Sequence, residues 1–171
     1  DEDKLDPEEW ARQMYKPLTD EELEYLEKTS KMLYENTPYS IVGNFIASSF
    51  GDIAWVPGPQ LKHPKGIRDP KDWYMALVTH PEYIKGIFEI QLEVALENLK
   101  LAYQAVGDRV DVLMVSGTDF GTQNGLFISR DMYRELFKPF HKRINDWIHQ
   151  NTRWKTFYHS CGSVADLLDE F

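Results

Sequence analysis

Near the end of the chain, "WKTFYHSCGSV" places a histidine two residues before the only cysteine of the 171-residue sequence. Side chains two apart on a strand point to the same side, so His159 and Cys161 can converge on one point. Imidazole nitrogen and thiolate sulfur are ligands that zinc favours. A helix expected to start near Ser163 would help to hold Cys161 as a thiolate. Taken alone, the spacing makes a metal site one of three interpretations and does not favour it over a metal-free pair.

Two other interpretations of the same residues stay open. A buried cysteine beside a hydrogen-bonded histidine needs no metal, and His-x-Cys lacks the specificity of paired Cys-x-x-Cys motifs. Alternatively, Cys161 is a covalent nucleophile with His159 as its base. Two side chains on the same side of one strand reach a common metal ion more easily than they form a nucleophile–base pair.

A second polar stretch, "SGTDFGTQ", follows an apolar run and contributes Asp119 and Gln123. If the strands are parallel, both lie on the same rim as His159 and could orient a substrate or a ligand. Turn chemistry is an equal alternative, because tight loops use Asp and Gly in any case. Asn44 interrupts another apolar run and is either a pocket-facing, substrate-binding group or a structural amide. His141 and His149 are too far apart on one helix to share a metal, so we expect solvated or capping roles.

Three apolar runs predict the strands that position these residues: "YSIVGNFIA", "RVDVLMVS" and "WKTFYHS". Long amphipathic helices separate the runs. Their predicted start signals are Thr19 with Glu22, Asp69 with Pro70, Thr79 with Glu82, and Ser129. Gly107 is predicted to end the longest helix, Pro139 to kink the next, and "SVADLLDEF" to begin a last one.

Strands that alternate with helices indicate an α/β fold with a parallel sheet. Residues 1–17 are charged and read as a lead-in, and residues 18–171 as one domain. An eight-unit barrel needs about 250 residues. About three strands with long flanking helices therefore predict an arc, a partial (β/α)8 barrel.

The composition excludes several classes of function. The net charge is −9, with 28 acidic and 19 basic residues and no basic stripe, which argues against nucleic acid as a partner. No apolar run approaches the roughly 18 residues that a membrane span needs. A lone cysteine cannot form an internal disulfide, so a cytoplasmic, reducing location is the expectation.

The segment "DVLMVSGTDFGTQNGLFISRDMYRELFKPFHKRINDWIH", followed by "KTFYHSCGSV", resembles the uroporphyrinogen decarboxylase superfamily. This superfamily includes the cobalamin-dependent methyltransferases. The resemblance is clearest over residues 111–171 and fainter back to about residue 18. It implies a (β/α)8 barrel, of which this chain would be a C-terminally truncated piece.

The methyltransferase branch binds zinc through His-x-Cys and a later cysteine, and this chain matches it at His159 and Cys161. The resemblance implies methyl transfer from a corrinoid protein to a small thiol acceptor that the zinc activates. Because the later cysteine is absent, we expect an incomplete site and a chain that is inactive alone. Unpaired sheet edges also predict self-association.

Two alternatives to this function remain. One is a metal-free decarboxylase-like enzyme of tetrapyrrole (porphyrin) biosynthesis, which basic residues at the barrel mouth would favour. That branch is the poorer match, because its arginine-bearing N-terminal segment and its Asp-Ser-Trp pattern are missing here. The other is a non-catalytic binding fragment with a merely structural His-x-Cys.

Overall fold

The computed structural model describes residues 5–171, so the first four residues of the predicted lead-in lie outside it. The helices are α1 (Pro7–Met14), α2 (Asp20–Asn36), α3 (Pro70–Thr79), α4 (Pro81–Val106), α5 (Arg130–Met132) and α6 (Lys138–Asn151). The strands are β1 (Val42–Gly43), β2 (Val112–Ser116) and β3 (Lys155–Tyr158). Short 3₁₀ turns at Gly107–Arg109 and Ala165–Leu167 and a π-helical turn at Tyr133–Phe137 complete the ordered elements.

The three strands form one open parallel sheet in the order β1-β2-β3. Helices α3 and α4 connect the first two strands, and α5 and α6 connect the last two. The mixed α/β class and the parallel sheet are confirmed. Parallel neighbours bring all three strand ends to the same edge, where the candidate site residues follow.

Strand β1 is much shorter than the apolar run predicts. Only Val42 and Gly43 pair with β2. Beyond them, side chains replace the backbone ladder: the Ser48 hydroxyl donates to the Val115 carbonyl at 2.5 Å, and Gln91 Nε2 donates to the Ala47 carbonyl at 2.9 Å. The residues after Gly43 thus run beside β2 but do not pair with it through backbone hydrogen bonds.

Helix α4 is the centre of the core, as its apolar stripe predicts. Its buried hydrophobic residues are Tyr83, Ile84, Ile87, Phe88, Ile90, Leu92, Val94, Ala95, Leu99, Ala102 and Val106. Phe88 packs its ring against Phe50, Phe137 and Phe140. Within the predicted lead-in, Trp10 and Ala11 of α1 are also buried, so this segment packs on the same core.

Most predicted helix boundaries are confirmed. Thr19 and Glu22 form a reciprocal capping box, the Asp69 side chain caps α3, and Ser129 caps α5. Gly107 ends α4 with φ of 54°. The capping box predicted at Thr79 is wrong, because its hydroxyl donates to the Met75 carbonyl inside α3.

The helix predicted to follow Ser129 contains a π-helical turn where the sequence predicts a proline kink. A π-helical turn over Tyr133–Phe137 precedes Pro139, and the Lys138 N–H donates to the Tyr133 carbonyl five residues back. Pro139 itself has no N–H to donate, so the helical hydrogen-bond pattern is also interrupted at that residue.

The C-terminal segment also differs from the prediction, since a 3₁₀ turn replaces the expected helix start. The buried Glu170 carboxylate holds this segment against the preceding helices through ion pairs. Its partners are Arg130 at 2.7 Å, Arg134 at 2.6 Å and Lys138 at 2.8 Å. Hydrogen bonds from these cations hold the pKa of Glu170 well below its usual range.

None of the helices in residues 5–171 has both the length and the apolar character that crossing a bilayer requires.

Candidate metal centre

His159 is placed by the end of the parallel sheet. Its backbone N–H donates to the Ser116 carbonyl at 2.8 Å, which extends the pairing of β2 and β3 by one step. The two strands therefore deliver their following loops side by side. The Gly/Asp loop after β2 and the His-Ser-Cys-Gly loop after β3 meet at the carboxyl edge of the sheet.

Three hydrogen bonds join these two loops. The Asp119 carboxylate accepts from the Cys161 N–H at 2.6 Å, and Ser160 Oγ accepts from the Phe120 N–H at 2.9 Å. The Ser163 N–H donates to the Thr122 carbonyl at 2.7 Å. The loops are thus held to each other by directional contacts on both sides of the candidate ligands.

Two glycines allow this close approach of backbone to backbone. A Cβ on Gly121 would lie 2.7 Å from the Ser163 nitrogen and 2.8 Å from the Cys161 carbonyl oxygen. A Cβ on Gly162 would overlap the Gly121 carbonyl, and Gly162 has φ of 81°, a conformation that side chains disfavour. Only glycine fits at either position.

Asp119, His159 and Cys161 offer three ligand atoms that all lie within 4.8 Å of one another. His159 Nε2 is 3.4 Å from Cys161 Sγ and 3.7 Å from Asp119 Oδ1. His159 and Cys161 are exposed and Asp119 is partly exposed. The structure therefore brings the predicted metal pair together with a third potential ligand from the β2 loop.

This arrangement does not resemble a nucleophile with its base and orienting acid. In such a triad the carboxylate contacts the imidazole nitrogen opposite the nucleophile. Here Asp119 and Cys161 both approach the same atom, Nε2 of His159. Three donor atoms around one point are instead the arrangement that binds a single metal ion.

The charge environment of Cys161 also opposes a free thiolate. The Asp119 carboxylate raises the pKa of the Cys161 thiol, first by accepting its hydrogen bond and then by charge repulsion. The helix predicted to start near Ser163 and to stabilise the thiolate is absent from this part of the described chain. A cation bound between Asp119 and Cys161 would instead favour the thiolate, because both side chains would then be its ligands.

The donor set and two of its three separations fit zinc. Carboxylate oxygen, imidazole nitrogen and thiolate sulfur are its usual protein ligands, and donors of a tetrahedral zinc ion lie about 3.3–3.8 Å apart. The 3.4 Å and 3.7 Å separations around His159 Nε2 fall in this range. Three protein ligands with one open position is the pattern of catalytic zinc.

A cavity of about 430 Å³ lies beside this centre and has His159 on its wall. Asn44, which follows β1, lines the same cavity, consistent with its interpretation as a pocket-facing group. Gln123 lies elsewhere: it is exposed in the turn between Thr122 and Gly125 and belongs to neither the ligand cluster nor the cavity wall. Its predicted role stays a prediction.

Two polar residues of the cavity wall, Asp52 and Gln91, were not singled out from the sequence. Gln91 had a detectable signal, since it is a polar residue within the apolar stripe of α4 and is 1% exposed. Asp52 lies in the long loop after β1, and nothing in its neighbourhood in the sequence distinguishes it from a turn residue. Only the fold brings the two side chains to one cavity.

His141 is buried, which corrects the predicted solvated or capping role. It is 3% exposed, and its Nδ1 is hydrogen-bonded to the Tyr133 hydroxyl at 3.0 Å. Phe50, Phe120 and Tyr158 pack around its ring. Burial lowers the pKa of His141 to about 3, so the imidazole is neutral and belongs to the core.

Comparison with known proteins assigns no family to this chain. No family model, curated protein or solved structure matches it.

Proposed function

We propose that Asp119, His159 and Cys161 form the zinc centre of an enzyme that moves a methyl group from a corrinoid protein to a small thiol. The convergence of three ligand atoms within 4.8 Å supports this proposal most strongly. Within this chain, Asp119 would supply the third ligand atom. The proposal includes the (β/α)8 barrel, of which β1 to β3 would be three units, and a reducing, cytoplasmic location in which Cys161 stays free.

When bound, zinc would act as a Lewis acid that lowers the pKa of a thiol beside it. The residues of the chain would hold the zinc ion in that position. His159 must be neutral to offer Nε2, and Cys161 must lose its proton, which the metal-free site opposes. Asp119 keeps Cys161 in place by accepting its backbone N–H.

The exposure of the centre suits a reaction between two separate molecules. His159 and Cys161 are open to solvent on one side, where a methyl donor carried by a partner protein could approach. On the other side His159 faces the cavity, which offers space for a small acceptor. The acceptor sulfur would form the new bond to carbon as the bond between that methyl group and the corrinoid cobalt of the partner protein breaks. The electron pair of the broken bond would stay on the cobalt, and the thiol proton would pass to solvent.

The decarboxylase alternative has less support from the cavity. Substrates of that class carry several carboxylates, and basic residues would be needed to bind them. The residues that line the described cavity include no lysine or arginine. An acidic wall at Asp52 would repel such substrates.

Cobalt(II) substitution tests the proposal independently of turnover. We expect the cobalt-loaded protein to show a thiolate-to-cobalt charge-transfer band that Cys161→Ser abolishes and that added 2-mercaptoethanol strengthens. Zinc should compete the band away. A cobalt spectrum that is unchanged by Cys161→Ser would contradict the ligand assignment, and one that is unchanged by added thiol would contradict the acceptor site.

A further inference from the structure

The cavity beside His159 combines an apolar wall with a small number of polar groups. Its apolar and aromatic residues are Met14, Tyr15, Ile46, Ala47, Trp55 and Met114. Its polar side chains apart from His159 are Asn44, Ser49, Asp52, Gln60 and Gln91. A volume of about 430 Å³ lies within the range of small-molecule sites. The polar groups of the cavity determine which kind of ligand it can bind.

Asp52 is a half-buried carboxylate without a basic partner. Its Oδ1 accepts the Ala54 N–H at 2.9 Å, and no lysine or arginine in residues 5–171 forms an ion pair with it. Burial and the nearby charge of Asp119 both raise the pKa of Asp52. A cation that enters the cavity would favour the charged carboxylate and so counter this rise in pKa.

Gln91 adds a second acceptor on the same wall. Its Nε2 donates to the Ala47 carbonyl at 2.9 Å, and because that carbonyl can only accept, the orientation of the amide is fixed. The other atom, Oε1, is buried and has no hydrogen-bond partner among the described residues. A buried carbonyl oxygen without a donor is costly, so this wall calls for an N–H or O–H group from a ligand.

We propose that this cavity binds a small aliphatic ammonium compound, with the Asp52 carboxylate and Gln91 Oε1 as acceptors for its N–H groups. The methionines and the aromatic rings of Tyr15 and Trp55 contact its carbon chain. Its further identification as the thiol acceptor, with ammonium at one end and sulfur near His159, rests on the function proposed above.

Three probes of equal length test the binding of an ammonium group in the zinc-free protein. Butylammonium, butanol and butyrate have four carbons each and differ in the polar head group and its charge. We expect butylammonium to bind about tenfold more tightly than butanol, the size of one charge-assisted hydrogen bond, and butyrate not to bind. Chemical-shift titration of amide resonances measures all three affinities. Equal affinities, or no binding of butylammonium, would overturn the proposal.

Variants locate the site. Asp52→Asn keeps the acceptor for Ala54 and removes the charge, so butylammonium affinity should fall about tenfold. Asp20→Asn, at the exposed start of α2, is its control. Gln91→Leu should also weaken binding, whereas Gln104→Leu on the exposed side of the same helix should not.

A steric variant keeps the proposal testable if Gln91→Leu fails to fold. A Cβ on Gly117 would lie 3.1 Å from Met114 Cε, 3.6 Å from Ser49 Oγ and 3.9 Å from Asp52 Oδ2, and all three residues line the cavity. Gly117→Ala should therefore reduce butylammonium binding in a folded protein, and Gly125→Ala, which has open space, should not. Unchanged affinity in both Asp52→Asn and Gly117→Ala would place the ligand elsewhere and overturn the proposal.

The outcomes for cavity and metal are separable. Butylammonium binding to a protein that takes up no zinc would keep the ammonium site and remove the thiol-acceptor assignment. Zinc uptake without butylammonium binding would remove the ammonium site and leave the proposed metal centre.

Discussion

The carboxylate of Asp119 accepts a hydrogen bond from the backbone N–H of Cys161 at 2.6 Å, across two loops that are 42 residues apart in the sequence. The same carboxylate raises the pKa of the Cys161 thiol. Asp119 therefore fixes where the cysteine lies and also keeps it protonated while no metal is bound. Both effects can be separated by substitution.

Asp119→Asn should make the metal-free thiol more reactive. Asparagine retains an oxygen that can accept the Cys161 N–H, but it removes the negative charge that raises the thiol pKa, so the pKa falls toward its ordinary value. A larger thiolate fraction near pH 8 should then speed alkylation by iodoacetamide. Asp166→Asn, which is exposed and further along the chain, is the control. A slower or unchanged alkylation rate would contradict the described role of the carboxylate.

Gly121→Ala and Gly162→Ala should each separate the two loops. An added methyl group meets backbone atoms in both cases, so the loops must move apart and the three ligand atoms lose their spacing. We expect metal affinity to fall at least tenfold, the lower end of the effect of disturbing groups that support a metal site. Equilibrium competition with a chromogenic chelator measures this.

Gly125→Ala is the matched control for both glycines, because nothing lies within 4 Å of its position. It should bind metal like the parent chain. Equal affinity in all three variants would show that the close contact of the loops does not position the ligands.

The closeness of His159 and Cys161 could be predicted from the sequence for a local reason. The two residues are two positions apart in one segment, so they stay close although β3 ends at Tyr158 and both lie in the loop that follows. Asp119 could be assigned to the same rim only through the expectation of parallel strands. Its contact with Cys161 depends on the crossing of two glycine-containing loops, which no local pattern indicates.

The residues that the sequence did not reveal are those whose role depends on burial. His141 looked like one of several surface histidines, and its burial follows from the packing of four aromatic rings around it. The capping box at Thr79 had the correct spacing, but Pro81 restarts the helix one residue after His80, so the hydroxyl remains in α3. Tertiary packing decided the first case, and the position of Pro81 decided the second.

Stability should fall in acid because of His141. Its pKa is 6.5 in the unfolded reference and about 3 when folded, so the folded state binds fewer protons. The stabilising effect is complete above pH 6.5 and is lost progressively as the pH falls toward 3. Between pH 7 and pH 5 this linkage lowers the free energy of unfolding by about 2 kcal/mol.

Urea denaturation at both pH values measures the effect. His141→Gln should lose most of this pH dependence, whereas His149→Gln, on the exposed side of the same helix, should keep it. An undiminished dependence in His141→Gln would show that the imidazole titrates normally.

Self-association is expected through the outer sides of β1 and β3, which pair with no strand in the described part of the chain. Phe157 on β3 is 48% exposed and would add an apolar contact. Phe157→Lys should therefore shift sedimentation toward monomer. Tyr25→Lys, an exposed aromatic of α2, should not. A parent chain that sediments as a monomer at all concentrations would contradict this prediction.

Zinc content tests the central claim most directly. After dialysis against zinc and then buffer, the parent chain should retain about one zinc per chain, as expected for three protein ligands. Cys161→Ser and Asp119→Asn should lose most of it, and Asp166→Asn should retain it. A parent chain without zinc, or a Cys161→Ser variant that holds as much as the parent, would contradict the assignment of Asp119, His159 and Cys161 as a metal centre.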